Sequence, residues 1–294
     1  MSFVDKKFAA LVDACRSLIA QALSPSFINV TPRPLEDKVI VIIGGTTGLG
    51  LSAAQACVKA GAKVVVVGRD RDNAKAAANG LGDNGKSLSG DASDADTSPK
   101  AIDFAVSNFG GFHGLYHVAG GSGRKAGDGP LHEISDEGWA FTLQLNLTSL
   151  FYSNRAAVQQ FLKQGGGGSI LNMGSVLGYS PSPKYFATHA YSTTKAAVIG
   201  MTRAAAAFYA PQNIRFNVLA PALVETPMSR RAVGDEHIMK FIQSKQPLDG
   251  GRVGQSSDLD AAVVYFLSDG SKFTTGQVLS VDGGWDVSEG QYPE

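Results

Sequence analysis

Two cysteines in 294 residues, Cys15 and Cys57, cannot build a disulfide framework, and that scarcity fits a reducing compartment. Net charge is missing as well. The 26 basic side chains balance 26 acidic ones, so no global field draws in nucleic acid or an anionic membrane, and neither is expected as a partner. No apolar run reaches the ~18 residues of a transmembrane helix. The N-terminal stretch lacks a secretory apolar core, because Asp13 and Arg16 interrupt it. The location expected from these absences is the cytoplasm. Disorder is excluded too, since 44% hydrophobic residues and zero net charge describe a chain that packs.

Glycine, by contrast, is abundant at 35 residues, above the usual share of roughly 7%, which raises the question of where backbone must turn or approach a ligand. Phe8, Leu11, Val12, Cys15, Leu18, Ile19 and Ala22 fall on one helical stripe, predicting an amphipathic helix over 3–23. Ser24-Pro25 ends it, and Thr31-Pro32-Arg33-Pro34 reads as a linker. The expected division is 1–34 as leader, 35–284 as one nucleotide-binding catalytic domain, and 285–294 as a tail. Within 35–284, uninterrupted β-branched runs alternate with helical stretches. Val39 to Ile43, Val64 to Val67, Gly114 to Val118, Ser169 to Met173, Arg215 to Leu219 and Gln277 to Val281 read as strands. Helices are expected at 51–60, 99–109, 136–162, 191–209 and 257–267. Runs of this kind suit strands buried on both faces, so the fold class is α/β, a single Rossmann-type doubly wound parallel sheet flanked by helices. The glycine-rich stretch 80–90 reads as loop.

The first strand runs into Gly44-Gly45-Thr46-Thr47-Gly48-Leu49-Gly50 and then a helix. Glycines there permit a tight turn and close backbone approach to a pyrophosphate, while the helix N-terminus offers free N–H groups. A dinucleotide site usually selects its cofactor at the end of the second strand. That strand closes Val67-Gly68-Arg69-Asp70, with glycine in the acidic slot and an arginine suited to a 2′-phosphate. NADP(H) is therefore expected. Asp70 leaves NAD(H) open, since a carboxylate turned inward would accept from the ribose 2′-OH.

Tyr191 and Lys195, at i and i+4, share one face of a helix. A phenol with a reference pKa of ~10 is a poor acid–base catalyst unless its anion is stabilised, which a lysine cation beside it would do. Upstream lie Ser175 after Gly174, and Asn146 in Leu145-Asn146-Leu147. In this order the motifs resemble the classical short-chain dehydrogenase/reductase family over 35–284. Gly44, Gly48 and Gly50, with Thr46, Thr47 and Leu49 between them, match its TGxxxGxG loop. Asp91-Ala92 match its adenine-side acid, and Ala119-Gly120 the end of its NNAG motif. Pro221, Val224 and Thr226 match the loop that meets the nicotinamide, and Thr275 to Gly284 its C-terminal signature.

The resemblance implies hydride transfer between a nicotinamide cofactor and a small carbonyl or secondary alcohol. Tyr191 would be the acid–base, Lys195 would lower its pKa and hold the nicotinamide ribose, Ser175 would bond the substrate oxygen, and Asn146 would anchor a water leading to Lys195. It also implies a homotetramer or homodimer. Departures are Ile43 for threonine, His117-Val118 for the two asparagines, Ala222 after Pro221, and an insertion at Pro181 to Phe186. The reading from another class is an NADPH-binding sensor or scaffold that turns nothing over. His113 and His117, four apart on a strand with no third ligand, do not point to a metal. The stretch Glu225 to Asp249 is the expected lid, and its Met228, Met239, Phe241 and Ile242 suggest an apolar or mixed substrate, although a core-facing helix would carry the same residues.

Overall fold

The computed structural model describes residues 12–16 and 33–290. Apart from one helical turn at 12–16, the helix expected over 3–23 and its linker to Pro32 lie outside the described residues, as does 291–294. The chain divides into two units between Pro32 and Arg33.

Seven strands form one parallel sheet: β1 (Val39–Ile43), β2 (Lys63–Gly68), β3 (Gly85–Ser89), β4 (Gly114–His117), β5 (Gly168–Met173), β6 (Ile214–Pro221) and β7 (Val278–Val281), in the order β3-β2-β1-β4-β5-β6-β7. Helices α1 (Gly48–Lys59), α2 (Arg71–Leu81), α3 (Thr97–Phe109), α4 (Asp136–Leu143), α5 (Ser149–Gln164), α6 (His189–Tyr209), α7 (Arg230–Val233), α8 (Glu236–Lys245) and α9 (Asp260–Leu267) complete it. The β-branched runs follow from the layering. Along β1 and β2, Ile40, Ile42, Val64 and Val66 enter the core on one face, and Val39, Val41, Ile43, Val65 and Val67 enter the core on the other. Both faces are covered by helices, so neither alternates with polar residues.

One expectation is corrected and another refined. The stretch 80–90 is not all loop, because Gly85–Ser89 pairs with β2 as an edge strand. Its sequence, Gly-Lys-Ser-Leu-Ser, is half-buried and carries no apolar run, so periodicity does not reveal it. The helix expected over 136–162 is divided by a π-turn at Gln144–Thr148, and Asn146 sits in that turn. Strand order reverses between β1 and β4, which opens the crevice where ligands of doubly wound sheets bind.

Candidate active site

Gly44 leaves β1 with φ +91°, and its N–H donates to the Val67 carbonyl at 2.8 Å. A Cβ at Gly44 would stand 2.6 Å from the Ala119 nitrogen, and one at Gly50 would overlap the Gly44 carbonyl. Gly48 begins α1 with φ +52°, facing Thr226 and Pro227 across ordinary van der Waals distances. The loop and Thr226, far apart in sequence, thus form one wall. The N-cap Thr47 makes no side-chain capping bond and the first turn holds no acid, which leaves amide donors and the positive helix end for an anion. At the end of β2, a Cβ on Gly68 would overlap the Thr46 side chain, so the acidic slot is closed by packing. Asp70 does not turn inward: its Oδ1 accepts from Asn73 N–H at 2.8 Å, capping α2. Arg69 is exposed beside Asp91. Burial pushes the Asp91 carboxyl upward, but hydrogen bonds from the Ser93 hydroxyl and backbone and the Arg69 cation hold it below its ordinary value.

Asn146, Ser175 and the Tyr191–Lys195 pair of α6 come together from three places in the chain. The Lys195 ammonium lies 5.5 Å from the Tyr191 ring centroid and donates to the Met173 carbonyl at 2.8 Å. Gly120 touches the same group, since a Cβ there would stand 2.7 Å from Asn146 Oδ1 and 3.8 Å from Lys195 Nζ. Asn146 clamps the next residue, accepting from Gly121 N–H and donating to Gly121 O, both at 3.0 Å. Ser175 opens a short turn that packs on α6 through Gly178, whose missing Cβ would stand 2.9 Å from the Ala196 nitrogen. Burial pushes the Tyr191 phenol up to about 12, with the Ser175 hydroxyl drawing it back down, and burial brings Lys195 down to about 8. Desolvation is the larger influence on the phenol, and Ser175 is the neighbour that opposes it.

The comparisons with known proteins agree with this geometry. Residues 44–286 match the family model described as Enoyl-(Acyl carrier protein) reductase. The chain is 34% identical over 255 residues to the NADP-dependent (R)-specific alcohol dehydrogenase of Lentilactobacillus kefiri, covering 85% of this chain and 97% of that one. The chain belongs to the classical short-chain dehydrogenase/reductase family. A second member, the 2-keto-3-deoxy-L-fuconate dehydrogenase of Xanthomonas campestris pv. campestris, is 33% identical over 277 residues, 92% of this chain and 86% of that one. Among solved structures, a short-chain type dehydrogenase/reductase from Mycobacterium ulcerans superposes with a TM-score of 0.79 at 29% identity, covering 86% of this chain and 91% of that one. This short-chain dehydrogenase/reductase is accordingly an oxidoreductase acting between alcohol and carbonyl groups.

The two members of the site that the sequence did not reveal are Asp128 and the surroundings of His117. Asp128 is buried, and its two oxygens accept from Ala190 N–H and Tyr191 N–H at 3.0 Å each, capping the helix that carries the tyrosine. His113 and His117 part company. His113 Nδ1 accepts from Val39 N–H at 2.9 Å, whereas His117 is fully buried with Nδ1 2.8 Å from Ser153 Oγ. Asn154 and Asn172 exchange bonds at 2.9 Å, and Asn172 reaches Thr202 Oγ1 at 3.0 Å. This ladder joins β4, α5, β5 and α6 where the family's asparagines stand.

Burial, assisted by the Lys195 cation, lowers His117 to about 3. Above pH 6.5 both folded and unfolded chains hold the ring neutral. Below it, the unfolded chain binds a proton that the interior refuses, so stability falls with pH until about 3. In urea unfolding, the loss of stability from pH 7 to pH 5 should be about 2 kcal/mol larger in the native chain than in His117→Asn. Equal losses would show that the ring is not held neutral.

Proposed function

We propose that the chain is an NADP(H)-dependent reductase that converts a ketone or other carbonyl to a secondary alcohol, or runs the reverse, with Tyr191 as acid–base. The observation that carries this reading is the meeting of Tyr191 with Ser175 and Lys195, with Asn146 and Lys195 both beside Gly120. A dinucleotide fits the residues present. Gly44 and Gly50 let the loop fold tightly where a Cβ would strike backbone, Gly48 turns into α1 at a positive φ, and Thr46, Thr47 and Leu49 complete the loop. Asp91 and Ala92 stand at the adenine side, Ala119 and Gly120 along the floor, and Pro221, Val224 and Thr226 at the nicotinamide side. When bound, the cofactor supplies or accepts the hydride.

The protein's own part is the proton. Tyr191 O–H, protonated at neutral pH, donates to the carbonyl oxygen while the Ser175 hydroxyl bonds the same oxygen. Lys195 stabilises the phenolate left behind and would hold the nicotinamide ribose. Asn146, whose side chain is shared between Gly121 and Thr142, keeps the facing backbone in place for the water leading to Lys195. The preference for NADP(H) rests on the capping role of Asp70, the closed slot at Gly68 and the exposed Arg69. NAD(H) remains the lesser partner.

Self-association as a tetramer or dimer is supported by exposed Phe273, Tyr265 and Leu279 near edge strand β7. A cytoplasmic setting is supported by two unpaired cysteines, and no helix among the described residues is long and apolar enough to cross a membrane.

The test is a panel of ketones and secondary alcohols run with NADPH and NADH side by side, following absorbance of the reduced nicotinamide. Turnover that favours NADPH is expected. Tight NADPH binding with no turnover across the panel would favour the sensor instead.

A further inference from the structure

The lid does not present the apolar surface its sequence suggested. Ile242 is fully buried, and Met239 and Phe241 pack with it around Trp285, while Met228 and Leu248 are exposed. Phe241 meets the Trp285 ring edge-on at 5.8 Å and Tyr185 at 5.1 Å, so Phe241 anchors the lid to the insertion.

At the same rim, polar groups converge. Arg124, in the segment after β4, donates to the Tyr185 carbonyl at 3.3 Å. Arg231, on α7 of the lid, donates to the same oxygen at 3.4 Å. Lys184 Nζ lies 5.2 Å from the Tyr185 ring centroid, adding a third cation. Both arginines are exposed, and among the described residues neither has a carboxylate within ion-pair distance. The acid that does act on Arg124 is Asp128, and both of its oxygens are taken by the amides of Ala190 and Tyr191. Burial and the neighbouring Arg231 cation lower the Arg124 guanidinium, and Asp128 opposes them.

Two cations drawn to one neutral carbonyl, neither ion-paired among the described residues, make a site whose complement is an anion. A guanidinium keeps several donors beyond the one used on Tyr185, in the planar fork that matches a carboxylate. The place is also right. Arg124 lies on the segment that runs from Gly121, held by Asn146, to Asp128, held on the first turn of α6 at Tyr191.

We propose that Arg124 and Arg231 bind the carboxylate of the substrate, so that the substrates are keto acids and the corresponding hydroxy acids. The proposal rests on carbonyl reduction at Tyr191. Binding the carboxylate fixes the far end of the molecule and draws the lid onto the segment after β4, turning binding into placement of the carbonyl.

The experiment compares acetoacetate, levulinate and oxocyclohexanecarboxylate with their methyl esters, in the native chain and in Arg124→Gln, Arg231→Gln and the double variant. For at least one pair, kcat/KM for the acid should exceed that for the ester roughly tenfold or more, mainly through KM, and should fall as salt rises. The acid-to-ester ratio should drop toward one in the double variant. A native ratio near one, or a ratio unchanged when both arginines are gone, overturns the subsite; the second result would mark the arginines as a lid latch only. If esters turn over and acids do not, the subsite fails while the reductase stands. If no compound turns over, the reductase reading fails, and the subsite is decided by calorimetric titration of the three acids into protein with NADPH. Salt-sensitive binding lost in Arg231→Gln upholds it, and no such binding overturns it.

Discussion

Tyr191→Phe should lower kcat by about 10²- to 10⁴-fold, the range in which a positioned general acid contributes, and leave the affinity for NADPH within about twofold of the native chain. The substitution removes one oxygen and its proton and keeps the ring that Lys195 faces at 5.5 Å. Asp128 holds the Tyr191 backbone amide rather than the phenol, so the helix start survives the change. Single-turnover kinetics with pre-bound NADPH give the first quantity and fluorescence titration the second. A variant that retains native turnover would remove Tyr191 from the proton path. One that loses cofactor affinity in parallel would show that the oxygen is structural.

Arg69→Ala should weaken NADPH by roughly 10- to 100-fold while NADH changes little, because hydrogen bonds to a charged group are each worth about 1.5–3 kcal/mol and only NADPH carries the 2′-phosphate. The competing carboxylate, Asp70, caps the next helix through Oδ1, which accepts from Asn73 N–H at 2.8 Å. Measuring both dissociation constants on the same preparation separates the outcomes. Equal losses would mean that Arg69 acts through Asp91, whose carboxyl it helps to hold ionised, and would withdraw the NADP(H) assignment.

The buried sheet and the site loops were legible because their chemistry is local. Val39 to Ile43 must be apolar on both faces, and Gly44, Gly48 and Gly50 sit where a side chain would collide or a positive φ is required. Tyr191 and Lys195 announce themselves by spacing along one helix. What stayed hidden depends on distant parts of the chain meeting. Asp128 looks like any loop aspartate until the fold brings it to α6, 63 positions on. Gly68 reads as a missing acid, whereas its cause is the Thr46 side chain packed against it. The lid's role stayed open for a similar reason: Met239, Phe241 and Ile242 have the same pattern whether they face a ligand or Trp285, and only packing decides. His117 looked like a loss of two asparagines. It is instead one end of a buried polar ladder whose other members, Ser153, Asn154, Asn172 and Thr202, are scattered through the sequence.

The position of β1 in the sheet also sets the order in which the chain can assemble. Its β2 side is completed by residues a single helix away, but its other edge waits for β4, whose neighbour His113 meets Val39 across 74 positions. During that interval Val39 to Ile43 presents an unpaired, wholly apolar edge. Long-range parallel pairing of this kind is slow, and exposed edges of this kind recruit other chains. High-level synthesis should therefore be limited by aggregation of half-assembled sheets rather than by the stability of the finished one, and slowing production is the remedy that the topology recommends.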